Sequence, residues 1–338
     1  MAKLKSKKAQ ISTQFAWIFI LIAGAIILIF FISLVFKQKE ISETRLSATV
    51  LSQLETILVG SGLSSGTVNV IDMPETELNF VCDEDGFSEF AIEGTVLTKE
   101  TPTQVIFTPE KIKGRQIITW ALSFDAPFKT TNFLYLSDPT TKYVFVTPNT
   151  FAQEIMQNFP AEFKPESTTL SSINPQGYNK IKLIFSASNP PDTIPDNLED
   201  IDVSAIKLTS NSIIFYKTKR SSFEQEDTIS YIDEPSLYGA IFAEDQTSYE
   251  CNMRKAFKRL NLVAQVYEYR KEDIELDSSF LCKAIYQNSV GALSLLINNA
   301  NACNEHLNNN CMNTVRTSRD NLQAVQNNLI RESCLWLY

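Results

Sequence analysis

The sequence predicts an α+β protein with an N-terminal transmembrane helix and helical stalk, a β-rich ectodomain and a C-terminal disulfide-bonded helical subdomain. Three observations predict this. Residues 15–36 carry no charge, and only Gly24 and Ser33 interrupt their apolar run. Between about residues 67 and 243, short β-prone runs alternate at period two, separated by Pro, Gly, Asp and Thr. Beyond residue 245 the apolar spacing becomes helical, and five of the six cysteines fall there. An apolar content of 44% over 338 residues also excludes a disordered or low-complexity chain.

Each element follows in order. Lys3, Lys5, Lys7 and Lys8 make residues 1–14 a Lys-rich leader, placed in the cytoplasm by the positive-inside bias. As a helix, residues 15–36 extend ~33 Å, enough to cross a hydrocarbon layer of ~30 Å. Phe36, Lys37, Gln38 and Lys39 offer no small-residue cleavage site after the span, so it reads as an anchor rather than a secretory signal. Residues 37–62 read as a helical stalk on Ile41, Ala48, Leu51, Leu54 and Leu58, stopped by Gly60 and Gly62.

A β-sheet domain is expected over residues 67–147. Its strands are Thr67–Met73, Glu77–Cys82 and Phe87–Ile92, with a hairpin turn at Asp85-Gly86, then Gln104–Phe107, Ile117–Phe124, Phe133–Leu136 and Lys142–Val146. A second α/β region spans 148–245. It has a helix at Thr150–Asn158, an exposed loop at 189–202, and strands at Lys180–Ser186, Ala205–Leu208, Ser212–Tyr216, Thr228–Ile232 and Leu237–Ala243. Residues 246–338 carry three amphipathic helices, with Asp277 and the serines after it as caps for the second.

The segment Lys7-Lys8-Ala9-Gln10-Ile11-Ser12-Thr13-Gln14-Phe15, running directly into the apolar helix, resembles the class III signal peptide of archaeal type IV pilins. That resemblance covers the first 30–50 residues and implies cleavage by a prepilin peptidase between Ala9 and Gln10. It also implies self-association through the amino-terminal helix. Ala9 stands where such leaders carry Gly, and Gln14 where they carry an acid. The alternative is an ordinary uncleaved anchor.

Motifs that could carry chemistry are few. Residues 37–338 hold 26 bases against 39 acids, which disfavours nucleic acid as a partner. Gly62-Leu63-Ser64-Ser65-Gly66 matches a nucleophile-elbow string, and His306 follows it, but the string lies between a helix and a strand, the reverse of the required context. Cys303, His306 and Cys311 have zinc-like types without a second Cys pair. Asp83, Glu84 and Asp85, and the acids from Asp192 to Asp202, lack calcium-loop spacing. Trp120, Phe124, Phe128, Phe133 and Tyr135 read as sheet core. The run Arg254, Lys255, Lys258, Arg259 reads as the wet face of a helix, with an acidic partner or an intramolecular acid contact as the sharper use. No cofactor and no enzyme activity are expected.

The cysteines are the sharpest expectation. Facing residues of an antiparallel helical hairpin share one midpoint. Cys303 with Cys311 and Cys282 with Cys334 have midpoints at residues 307 and 308, inside an Asn-rich turn. Cys82 is then left to pair with Cys251. Three bonds suit an extracytoplasmic compartment. The expected role is a structural or interaction module at the cell surface, contacting the lipid bilayer and surface proteins. A membrane-tethered hydrolase or carbohydrate-binding protein is the alternative.

Overall fold

The computed structural model describes residues 8–83, 86–219, 221–276 and 278–338, without the side chains of 8–16, 39–47 and 280. Glu84 and Asp85 of the expected hairpin turn, the cap candidate Asp277 and the side chains of Ala9 and Gln10 lie outside the described set. The chain divides into two compact units, residues up to Gln53 and Leu54–Tyr338.

Helix α1, Lys8–Leu63, is continuous. Its segment Trp17–Gln38 is long and apolar enough to cross a membrane, and none of it is buried within the protein. Gly60 and Gly62 were expected to end the helix, yet α1 runs through both. A helical glycine costs only about 1 kcal/mol, and Leu54 and Leu58 fix these last turns by burial. The chain reverses instead at Gly66, where φ is +80° and the amide donates to the Ala121 carbonyl at 2.7 Å.

The first sheet contains β1 (Val68–Cys82), β2 (Ser88–Ile92), β3 (Thr98–Glu100), β4 (Val105–Phe107), β5 (Lys111–Asp125) and β6 (Lys129–Ser137), in the order β3-β2-β1-β5-β6-β4. Neighbours pair antiparallel except β4 with β6. Two expected strands are joined in β1, because its pairing with β5 slips between Asp72 and Thr76. Pro74 lies in that slip, where its missing N–H costs no ladder bond.

The second sheet contains β7 (Thr141–Val146), β8 (Glu166–Thr168), β9 (Lys180–Phe185), β10 (Asp202–Leu208), β11 (Ser212–Lys219) and β12 (Ser222–Ser230), ordered β12-β11-β10-β9-β7-β8. Its β10-β9-β7-β8 part is parallel and its β12-β11-β10 part antiparallel. The seam between the sheets therefore falls just before β7. Helix α2, Thr150–Gln157, is capped by Asn149, whose side chain accepts from the Ala152 amide. The 189–202 loop is less exposed than expected, since Ile194 and Leu198 are buried under the second sheet.

Residues 237–243, expected as a strand, belong instead to helix α3, Glu234–Phe242. Asp233 and Ser236 form a capping box, with Pro235 in the first turn, and this start signal overrides the β-prone composition. Three helices follow: α4 (Gln246–Leu276), α5 (Phe280–Glu305) and α6 (Asn309–Arg331). Ser279 caps α5, and Asn308 caps α6 through a second capping box. Most of the Asn-rich segment is therefore helical, and the connection narrows to residues 306–308.

One core joins these parts. It runs from Trp120, Phe124, Phe133 and Tyr135 of the first sheet, through Tyr238 and Phe242 of α3, to Tyr249, Phe257 and Leu260 of α4 and Leu322 of α6. Trp120 and Tyr238 meet edge to face at 4.7 Å. The other face of the second sheet has its own cluster, with Leu183, Phe185 and Leu198.

Candidate functional site

All six cysteines are paired: Cys82–Cys251, Cys282–Cys334 and Cys303–Cys311, with Cα separations of 5.7, 5.8 and 5.3 Å. Two of these are the pairs that the hairpin midpoint singles out, and Cys82–Cys251 is the pair left over. The sulfurs of Cys303 and Cys311 are thus committed to each other and present no thiolates to a metal. Among the described residues no group of His, Cys, Asp and Glu is arranged to hold an ion. His306 terminates α5 as its C-cap. Ser64 lies in the turn after α1 beside a surface hollow with Ile57, Gly60 and Thr67. Asp202 is engaged by the Lys180 ammonium at 2.9 Å.

The functional geometry that sequence reasoning missed is built from buried lysines. On β9, Lys180 and Lys182 alternate with Ile181 and Leu183, a pattern that ordinarily sends the charged residues to water. Here both faces of the strand are covered. Lys182 is 4% exposed and its Nζ donates to the carbonyls of Ala243 and Glu244, just past the end of α3. A cation there complements the negative end of the helix dipole. Lys180 forms an ion pair with Glu244, and the Glu244 carboxylate also accepts from the Glu110 amide at 2.9 Å. Burial pushes Glu244 up, but Lys180 and Lys182 outweigh it and hold the carboxyl below its ordinary range. Burial pushes Lys182 down to about 8.

The second cluster surrounds Lys255. It was expected on the wet face of α4, yet it is 9% exposed. Cys251 lies one turn before it, and the bond to Cys82 draws that helix face against β1. The Lys255 ammonium donates to Ser88 Oγ at 2.6 Å, the Gln104 carbonyl at 3.1 Å and the Thr101 carbonyl at 3.2 Å. Beside it, Asn252 accepts from the Ile106 amide at 3.0 Å, stitching α4 to β4. Among the described residues no carboxylate pairs with this ammonium, and burial lowers it to about 7.

A cavity of about 160 Å³ opens beside Lys255, lined by Phe80, Cys82, Thr101, Ile106, Glu244 and Ser248 among others. Neither the family models, nor the curated proteins, nor the solved structures contain a match to this chain. The site must therefore be read from its own chemistry. It offers a dehydrated ammonium, a buried amide and an acid–base pair at the seam between the first sheet, the second sheet and α4. Such a seam is suited to holding a polar group and fixing the elements around it.

Proposed function

We propose that this chain is a single-pass membrane protein whose disulfide-bonded α+β ectodomain acts as a structural or interaction module at the cell surface. The amino terminus faces the cytoplasm and Leu54–Tyr338 lies outside. The carrying observation is the segment Trp17–Gln38, a 22-residue apolar stretch of α1 with none of its residues buried within the protein. In water such a surface would be untenable, because a patch that large demands an apolar surrounding. Three disulfides downstream support the orientation, since such bonds persist outside the reducing cytosol. The Lys-rich leader favours the same direction.

Within this reading, the resemblance of residues 7–15 to archaeal type IV pilin leaders favours a pilin-like or pseudopilin-like component. Cleavage before Gln10 would release the protein with its apolar helix as the new amino terminus, the form in which pilin helices associate. Two measurements test the proposal. Protease added to intact cells is expected to degrade Leu54–Tyr338 and spare the apolar helix; digestion only after lysis would overturn the orientation. Amino-terminal sequencing of the surface protein is expected to begin at Gln10. A mature protein beginning at Met1 or Ala2 would reduce the molecule to a plain anchor.

A further inference from the structure

We propose that the outer face of α4 and α5 docks a second copy of this chain, related by a two-fold axis that passes beside Val266 and sets the two α4 helices antiparallel. Arg259, Leu262, Val266, Tyr269 and Asp273 recur at alternating steps of three and four and are all exposed, so they form one outward row on α4. The middle three are apolar, and Leu262, Val266 and Tyr269 are 53%, 63% and 70% exposed. A lone exposed apolar residue is ordinary, whereas a contiguous row with charge at both ends marks a contact surface.

Helix α5 widens this face. The two helices lie side by side and antiparallel, with Asn261 donating to the Ile297 carbonyl at 3.4 Å, Ser294 to Glu268 at 2.7 Å and Gln287 to Glu275 at 3.2 Å. That register puts Leu295, 45% exposed, beside Val266 and Gly291 beside Tyr269. The flank by which each helix touches the other stands about a third of a turn round from its exposed row, and in an antiparallel pair this turns both rows to the same side. From Leu281 to Ala302 no exposed residue of α5 is charged, although protein surfaces ordinarily carry roughly a quarter to a third Asp, Glu, Lys and Arg. Depletion of charge around aromatic and aliphatic side chains is the composition of an interface centre.

The charges at the ends of the row select the occupant. Arg259 and Asp273 stand seven residues before and seven after Val266. The ion pair on this stretch of α4, Lys271 with Glu275, involves neither, and among the described residues neither has a partner of its own. An antiparallel second copy centred on Val266 brings each Arg259 opposite an Asp273, with Leu262 against Tyr269 and Val266 against the second copy's Val266. A parallel copy would set Arg259 on Arg259 and Asp273 on Asp273. Arg270 falls opposite Leu262, where its stem covers the leucine while its charge stays in water. The face is ~20 Å long and two helices of ~10 Å wide, roughly 400 Å² per copy, so the dimer is weak and reversible. The inference deepens the reading of the ectodomain as an interaction module. It is independent of the orientation of the membrane span, because every residue named belongs to Leu54–Tyr338.

Sedimentation velocity of the full chain in a non-ionic detergent tests the assignment. A concentration-dependent monomer–dimer equilibrium in the micromolar range is expected. Arg259→Asp and Asp273→Arg should each weaken it about tenfold by facing like charges. Mixing the two variants should restore it, because in the mixed dimer both facing pairs are again opposite in sign. With Val266→Cys a short bismaleimide should join two copies to each other, whereas Val96→Cys, 95% exposed in the turn between β2 and β3, should give no cross-linked dimer. A chain that stays monomeric at hundreds of micromolar would overturn the proposal. So would weakening without rescue in the mixture, which removes the antiparallel register. A dimer indifferent to both charge reversals would place the contact on the apolar helix α1 and overturn the proposal as well.

Discussion

Removing the disulfides one pair at a time should rank them by the length of chain each closes. The bonded cysteines are 169, 52 and 8 residues apart for Cys82–Cys251, Cys282–Cys334 and Cys303–Cys311. If a cross-link acts by restricting the unfolded chain, these loops correspond to ~5, ~4 and ~2.5 kcal/mol. The first loop ends before the second begins, so its effect is independent. The third lies inside the second and shortens it only slightly. Each pair is replaced by alanine in the full chain, held in non-ionic detergent, and urea unfolding is followed by tryptophan fluorescence, to which the buried Trp120 responds. Loss of packed sulfur adds a larger transfer term to the short-loop variant, since Cys303 and Cys311 are both buried whereas the other pairs bury only Cys251 and Cys334, and this narrows the difference between the variants. The expected order is therefore Cys82→Ala/Cys251→Ala most destabilised and Cys303→Ala/Cys311→Ala least, separated by ~2 kcal/mol. A short-loop variant as unstable as the long-loop variant would refute the loop-closure reasoning.

Three further substitutions probe the seam around α3. Glu244→Gln strands Lys180 and Lys182 near a neutral amide, and a loss of about 3 kcal/mol is expected in the urea midpoint, with Asp202 retaining part of the Lys180 charge; an unchanged midpoint would show the pair to be energetically idle. At Gly239 a β-carbon would sit 2.8 Å from the Phe107 ring, so Gly239→Ala should cost about 1–3 kcal/mol despite its better helix propensity, read as a lowered Tm. Burial raises the Asp233 carboxyl to about 6 from an ordinary 3.8, so the native state loses stability as pH rises from about 4 to 6. Asn also caps helices, and water reaches part of this side chain. Asp233→Asn should therefore gain about 1 kcal/mol at pH 7.5, and the gain should vanish below pH 4. A gain that persists in acid would mean that charge is not its cause.

The elements that were legible in the sequence are those governed by local rules. The hairpin midpoint needed only residue numbers, because antiparallel helices convert sequence spacing into spatial register. Strands β5, β6, β7 and β9 followed from β-branched and aromatic runs, although β3 and β8, three residues each, are too short to establish a period. Helix α3 escaped because Ser236 through Phe242 are all buried. A helix buried on every side has no apolar stripe, so only its Asp233-Glu234-Pro235-Ser236 start could have identified it.

Lys255 marks a different limit. Four cations within six residues of α4 suggest a solvated face, but position 255 lies one turn from Cys251, whose disulfide holds that part of α4 against β1. That inference was available once the pairing was granted. The Lys180–Glu244 contact was not, since its partners are 64 residues apart and meet only after α3 has packed against the first sheet. Local pattern sets which residues can face inward, and the closing of the seam decides which inward charges find a counter-charge. At Lys180 the seam supplies one from within the chain. Around Lys255 the described partners are neutral, namely Ser88 Oγ and the carbonyls of Thr101 and Gln104.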